Sequence, residues 1–235
     1  MFEVRASEAE FLDDPGCDQE LAAASYRFMT MINAWAGGTA VVRRFLAEKA
    51  REAGCGGALR VLDVGSGSCD IPLAVSRWAR RRGLRLRFTC LEPSARAVAL
   101  ARTRLALADD PDVQVLQENL FAHRPAEAYD YATASMCFHH FKDEEILEIV
   151  RRLRTFVRKE VLINDLRRAA PAWLGACLLT AGGPAGVRHD ALVSIRRGFK
   201  ISEFKVLLQR IPDCTVSVRA AWCFRISARI AFVRA

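Results

Sequence analysis

Residues 60–72 read RVLDVGSGSCDIP. An apolar run breaks at Gly65-Ser66-Gly67 and gives way to DIPLAVSRWAR, whose apolar residues recur at helical spacing. A strand that ends in a glycine turn and opens a helix marks the place where open α/β sheets bind ligands. Glycine at Gly65 and Gly67 permits positive φ and a close backbone approach. The free N–H groups at the start of the helix favour a negatively charged partner.

Working outward, strand and helix alternate. The apolar patterns predict strands at 60–64, 86–91, 113–117, 129–135 and 159–165. Helices are expected at 70–82 and at 94–108, where Ser94 is the N-cap. Another follows in DEEILEIVRRLRTFV, which opens with acids and closes with bases, as the helix dipole favours. This order implies a doubly wound parallel sheet. Residues 214–220 and 223–234 alternate with period two and read as an antiparallel hairpin at the sheet edge. Residues 201–211 read as a helix, and 19–53 as two helices broken at Gly37-Gly38. The expected organisation is a helical cover over 1–53 and one compact unit over 54–235, with a lid-like insertion at about 168–200.

The turn alone does not choose a ligand. A dinucleotide loop needs glycine at the sixth position of G-x-G-x-x-G, and that position here is Asp70, an acid that would face a pyrophosphate. Glu92 closes the second strand, where a carboxylate can accept from both hydroxyls of a ribose.

At this point the chain resembles the class I S-adenosylmethionine-dependent methyltransferases, in particular their small-molecule branch with the quinone C-methyltransferases. Four segments carry the resemblance in order: VLDVGSGSCD, CLEP, LQENLF and YDYATASMCFHHF. S-adenosylmethionine carries a carboxylate, an amine and a sulfonium but no phosphate, so Asp70 is harmless or useful to it. The resemblance implies a Rossmann-like, seven-stranded sheet with an antiparallel last strand. It implies a cofactor site built from Asp63, Gly65, Ser66, Gly67, Asp70, Glu92, Pro93, Asn119, Leu120 and Ser135. Cys69 stands where the family usually has glycine; it is expected to enter the helix without positive φ and to pack beside the methionine end of the cofactor.

Methyl transfer is an in-line displacement on an already activated donor, so the protein supplies position, a dry site and sometimes a base. Histidine suits a base near neutral pH. The ends of the fourth and fifth strands are adjacent, so His139 is expected as the base, Asp165 as its orienter and His140 as the alternative. No acid ends the fourth strand, which closes on Ser135, and no metal is expected. Tyr26, Met29, Asn33 and Trp35 in the first helix, with Arg167, His189 and Arg196 further on, are acceptor-site candidates. The apolar residues among them are either core or the roof of the acceptor pocket.

Composition bounds the partners. The 235 residues carry a formal charge of +8, unevenly spread: 18 basic and 22 acidic residues lie in 1–150, and 17 and 5 in 151–235. A basic last third can attract nucleic acid or an anionic or carrier-bound substrate. No basic run is interleaved with aromatics as base stacking requires, so nucleic acid is not the expected partner. The amino-methylating N/D-P-P-Y/F pattern is also absent after the fourth strand, which continues SMCF. The eight cysteines show no zinc spacing, the N-terminus has no signal-peptide core, and no stretch has membrane-spanning length. The expectation is a cytoplasmic enzyme of secondary metabolism that O-methylates a small hydrophobic or aromatic hydroxylated acceptor. The alternatives are C-methylation of a quinol or polyketide ring and, less readily, RNA methylation.

Overall fold

Five strands follow the predicted pattern almost residue for residue: β1 (Leu59–Val64), β2 (Leu86–Leu91), β3 (Val113–Leu116), β4 (Tyr129–Ser135) and β5 (Val157–Leu166). The computed structural model describes residues 2–14, 16–54 and 57–233, so Cys55 lies outside the described residues. With β6 (Cys214–Ala221) and β7 (Arg225–Phe232), the sheet has the order β3-β2-β1-β4-β5-β7-β6. The first five strands pair in parallel, and β7 runs antiparallel to both β5 and β6.

The terminal hairpin is therefore not simply appended to the edge. Its second strand inserts beside β5, and its first strand becomes the edge. Burial explains the choice. Strand β7 hides Ile226, Ala228, Ile230 and Phe232, whereas β6 buries only Val218. A strand with that much apolar surface gains most from the inner position.

Successive side chains of β1 point to opposite faces. Leu62 and Val64 join a core beneath α5 (Asp143–Arg154) and α8 (Ile201–Leu208). Leu59 and Val61 join a second core with α3 (Asp70–Arg80) and α2 (Gly38–Ala53). Val42, Phe45 and Leu46 of α2 lie in that second core, together with Val61 and Leu162 of the sheet. The expected boundary after residue 53 thus does not part a cover from a core; α2 belongs to the helical layer of the sheet. α4 (Ala95–Ala108) flanks β2 and β3, and α1 (Gln19–Trp35), capped by the Asp18 carboxylate, lies across the carboxyl edge.

The segment 168–200 resolves into α6 (Ala170–Leu179) and α7 (Ala185–Arg197). Residues 2–14, which carry no strong sequence signal, run over α7. Ala6 N–H donates to the Arg196 carbonyl, and the Asp190 carboxylate accepts from Phe11 N–H and Leu12 N–H at 2.7 and 3.1 Å. Among the described residues, no helix is long and apolar enough to cross a membrane.

β1 and β4 are also joined through side chains. Asp63 is buried, and its Oδ1 accepts from the Thr133 hydroxyl at 2.5 Å. Burial pushes the Asp63 carboxyl from 3.8 up to about 6, only partly offset by the Thr133 and Ser66 hydroxyls. A carboxyl whose folded value is raised contributes stability that is complete below its unfolded value and is lost as pH rises through the folded one. Asp63→Asn should therefore gain on the wild type by on the order of 2–3 kcal/mol between about pH 4 and pH 7. Urea unfolding at the two pH values reads the difference; an identical pH response of both proteins would contradict the assignment.

Candidate active site

Gly65 turns the chain out of β1 with φ +64°, a conformation in which a side chain is strained. A Cβ there would also lie 2.5 Å from Cys137 Sγ, in the turn after β4. Gly67 follows at φ +53°, and its nearest neighbour for a Cβ is Tyr26 Cε1 at 3.7 Å. Gly65 is thus bare because the turn after β4 presses on it, and Gly67 is bare for its left-handed backbone, with Tyr26 at ordinary contact distance.

Cys69 corrects the sequence expectation. It adopts the left-handed conformation, φ +57°, at the N-cap of α3. It therefore keeps the backbone of the glycine it replaces, at a cost of about 1–2 kcal/mol. Its side chain is fully buried in the core on the far side of the turn, where it contacts Cys90. It does not reach the cavity described next.

A cavity of about 860 Å³ opens at the carboxyl ends of β1, β2 and β4. One wall holds Gly65, Ser66, Gly67 and Asp70, with Glu92 and Pro93 beside them. Asn119, Leu120 and Ser135 border it further along the edge. Tyr26, Met29 and Asn33 of α1 form the roof. Glu92 is the hinge of the first wall: its carboxylate accepts from Gly67 N–H at 2.8 Å and from Ser94 N–H at 2.9 Å. Burial holds its carboxyl above the usual range despite those two donors.

Asp70 is supported from behind. Its Oδ2 accepts from Asn33 Nδ2 at 3.0 Å, and Asn33 Oδ1 accepts from Arg225 Nη2 at 3.0 Å. Arg225 is completely buried, and burial lowers its guanidinium to about 10. Sequence reasoning missed Arg225, since a lone arginine at the start of an edge-like strand reads as a solvated one.

Asp63 lies beneath the turn, bonded to Thr133, and does not border the cavity. His139 and Asp165 do meet: Nδ1 of the imidazole is 2.7 Å from Asp165 Oδ1, and both residues are buried. Asp165 also accepts from the Phe138 and His139 N–H groups at 2.8 and 3.2 Å, which folds the 3₁₀ turn Phe138–His140 onto β5. Burial opposes charge on His139, but Asp165 and then Glu10 outweigh it and raise the imidazole to about 9. His140, not His139, lines the main cavity. His139 stands behind it, with Nε2 3.5 Å from Glu10 Oε1.

Glu10 and Asp13 come from the N-terminal segment and were not anticipated. Asp13 lies 3.0 Å from His140 Nδ1 and accepts from Arg197 Nη1 at 2.9 Å. Burial works against the Asp13 charge, but His140 and Arg197 hold its carboxyl well below the usual range. The acid spacing of 10, 13 and 14 was the only available signal.

Four acceptor-site expectations fail on position. Trp35 ends α1 with 83% of its surface exposed and does not border the cavity. Arg167 bridges to Phe199 and lies over the Phe224 ring. His189 stacks on Phe11, between Glu8 and Asp190. Arg196 pairs with Glu8 at 2.9 Å. The last two anchor the N-terminal segment from outside the cavity.

A family model described as "Methyltransferase domain" matches residues 61–160. The plantazolicin methyltransferase BpumL in complex with SAH superposes with a TM-score of 0.71 at 13% identity, covering 95% of this chain and 93% of that one. A putative O-methyltransferase from Nostoc punctiforme PCC 73102 gives 0.65 at 13% identity, over 97% and 64% of the two chains. Magnesium protoporphyrin IX methyltransferase (ChlM) from Synechocystis PCC 6803, with bound SAH, gives 0.56 at 12%, over 83% of each. No curated protein matches the chain in sequence. Residues 61–160 thus match a methyltransferase domain, and the strand order and superpositions give the chain the fold of the methyltransferases on which it superposes.

The turn geometry can be tested directly. Gly65→Ala combines left-handed strain with the Cys137 clash and should cost on the order of 2–4 kcal/mol in denaturant unfolding. Adding Cys137→Ala removes the sulfur and should return part of that loss. A second substitution without effect would mean that the clash is relieved elsewhere.

Proposed function

We propose that the chain methylates a hydroxyl of a small hydrophobic or aromatic acceptor, free or carrier-bound, in secondary metabolism. The observation that supports this most is the single cavity of about 860 Å³, which joins the glycine turn and Glu92 at one end to His140 at the other. Under this reading Glu92 accepts from the ribose hydroxyls in place of its present N–H donors. Asn119 and Leu120 flank the adenine. Gly65, Ser66 and Gly67 approach the methionine portion, and Asp70, fixed by Asn33 and Arg225, takes its ammonium. Ser135 and Pro93 complete the wall. Asp63 acts from below, by tying β1 to β4.

The acceptor occupies the remaining space under Tyr26 and Met29, against Phe121 and Phe141 of the same cavity. Its oxygen forms a bond to the methyl carbon as the carbon–sulfur bond breaks; the sulfonium leaves as the neutral thioether of S-adenosylhomocysteine. The hydroxyl proton passes to the polar cluster at that end, with His140 as its member on the cavity wall and His139 and Asp165 behind it. An apolar roof excludes water, which would otherwise compete with the acceptor.

The tests separate the two ends. Calorimetry should show one S-adenosylhomocysteine bound per chain, with Glu92→Ala weakening it at least tenfold; no binding by the wild type would overturn the reading. In a screen of phenols with labelled cofactor, His140→Ala should lower kcat by about 10²-fold or more while leaving cofactor affinity within twofold. Wild-type turnover in this variant would remove the cluster from the reaction.

A further inference from the structure

We propose that Glu10, His139 and His140 form a binding site for one divalent cation of the zinc class, at the acceptor end of the cavity. The proposal rests on the reading above only for the use of the cation, not for its binding. Among the described residues, these three are the only group of three or more histidine, cysteine or acidic side chains whose ligand atoms come together, all within 4.8 Å of one another.

The spacing suits a metal better than hydrogen bonds. Tetrahedral ligands at 2.0–2.2 Å from zinc stand about 3.4 Å apart. Glu10 Oε1 lies 3.5 Å from His139 Nε2 and 4.0 Å from His140 Nε2. Both separations are too long for a good hydrogen bond. His139 is 2% exposed, and its Nε2 has no hydrogen-bond partner. A buried ring nitrogen that makes no hydrogen bond of good length and faces a carboxylate and a second imidazole has the placement of a metal ligand.

The support behind the ligands has the same character. His139 turns its other nitrogen, Nδ1, to Asp165 at 2.7 Å. A carboxylate on the remote nitrogen is the usual way a protein fixes and strengthens an imidazole ligand. Ser194 Oγ donates to Glu10 Oε1 at 2.7 Å, fixing that carboxylate in turn. Two imidazoles and one carboxylate suit zinc, and three protein ligands leave one position open. His140 also lines the main cavity, so that position adjoins the acceptor space.

The nearest cation is Arg197, whose Nη1 lies 3.9 Å from Glu10 Oε1. It is already engaged by Asp13 and by the carbonyls of His139 and His140. Arg5 donates to the His139 and Phe141 carbonyls and pairs with Asp143. Glu10, Asp13, Asp143 and Asp165 outnumber these two guanidiniums, so with neutral imidazoles the site is net negative. Glu10 belongs to the N-terminal segment and the histidines follow β4. A bound cation would therefore also fasten that segment beside the cavity.

The test uses the tag-free chain, stripped with a chelator and titrated with zinc chloride in a calorimeter. Cobalt(II) serves as the spectroscopic probe of coordination. The expected result is one ion per chain and a tetrahedral cobalt spectrum. Glu10→Gln and His140→Gln should each weaken zinc at least tenfold and abolish that spectrum. Glu127→Gln, a carboxylate outside the site that pairs with Arg60, should change neither. His140 is partly exposed, so its variant tests the site without emptying the core; circular dichroism checks the fold of both. Absence of stoichiometric zinc, or zinc binding unmoved by Glu10→Gln and His140→Gln, would overturn the proposal. S-adenosylhomocysteine binding by the metal-free chain is measured in parallel. Its failure beside intact zinc binding would sink the methyltransfer reading and leave the cation site standing.

Discussion

The Asp165 carboxylate is the interaction on which the acceptor end depends. It is wholly buried, and it accepts from two backbone N–H groups and one imidazole of the turn Phe138–His140. Burial disfavours its charge, yet the His139 imidazolium more than offsets that and keeps its carboxyl below the usual range. With Leu166 N–H as a fourth donor, this buried carboxylate fixes both the direction of the chain after β4 and the orientation of His139. Removing it would leave four donors unsatisfied, and His140 would lose its place at the cavity wall.

The cofactor end depends on a different economy of space. Gly65 is pressed by Cys137, so β1 and the turn after β4 approach closely, and Cys69 accepts a left-handed backbone to keep the same turn. Glu92 bonds Gly67 and Ser94 at once, which holds the first two βα turns together. The chain from Arg225 through Asn33 to Asp70 then ties α1 and β7 to the start of α3. Three separated parts of the sequence are thus locked around one cavity before any ligand enters, an arrangement that lowers the ordering cost of binding.

Much of this was legible in the sequence because local physics writes it there. Strands β2 and β4 coincide with their predicted spans, and the cavity residues Gly65, Gly67, Asp70 and Glu92 follow from turn chemistry at strand ends. The meeting of His139 with Asp165 was readable from the adjacency of β4 and β5. What was not legible depends on long-range packing. Cys69 gives no local sign of its positive φ. The burial of Arg225 depends on β7 inserting beside β5, a choice made between two strands of similar alternation. Glu10 and Asp13 lie in a segment with no periodic pattern, and its course over α7 is set by Asp190 nearly 180 residues away. Trp35, Arg167, His189 and Arg196 were plausible by residue type and failed by direction, which a spacing argument cannot supply.

The central claim is that one cavity holds both the cofactor and the acceptor, with Glu92 at one end and His140 at the other. A crystal structure of the chain with S-adenosylhomocysteine tests it most directly. The account predicts the ribose hydroxyls within hydrogen-bond distance of the Glu92 carboxylate and the thioether sulfur turned toward the space bordered by His140. A product molecule bound elsewhere, or bound here with its sulfur turned away from that space, would contradict it.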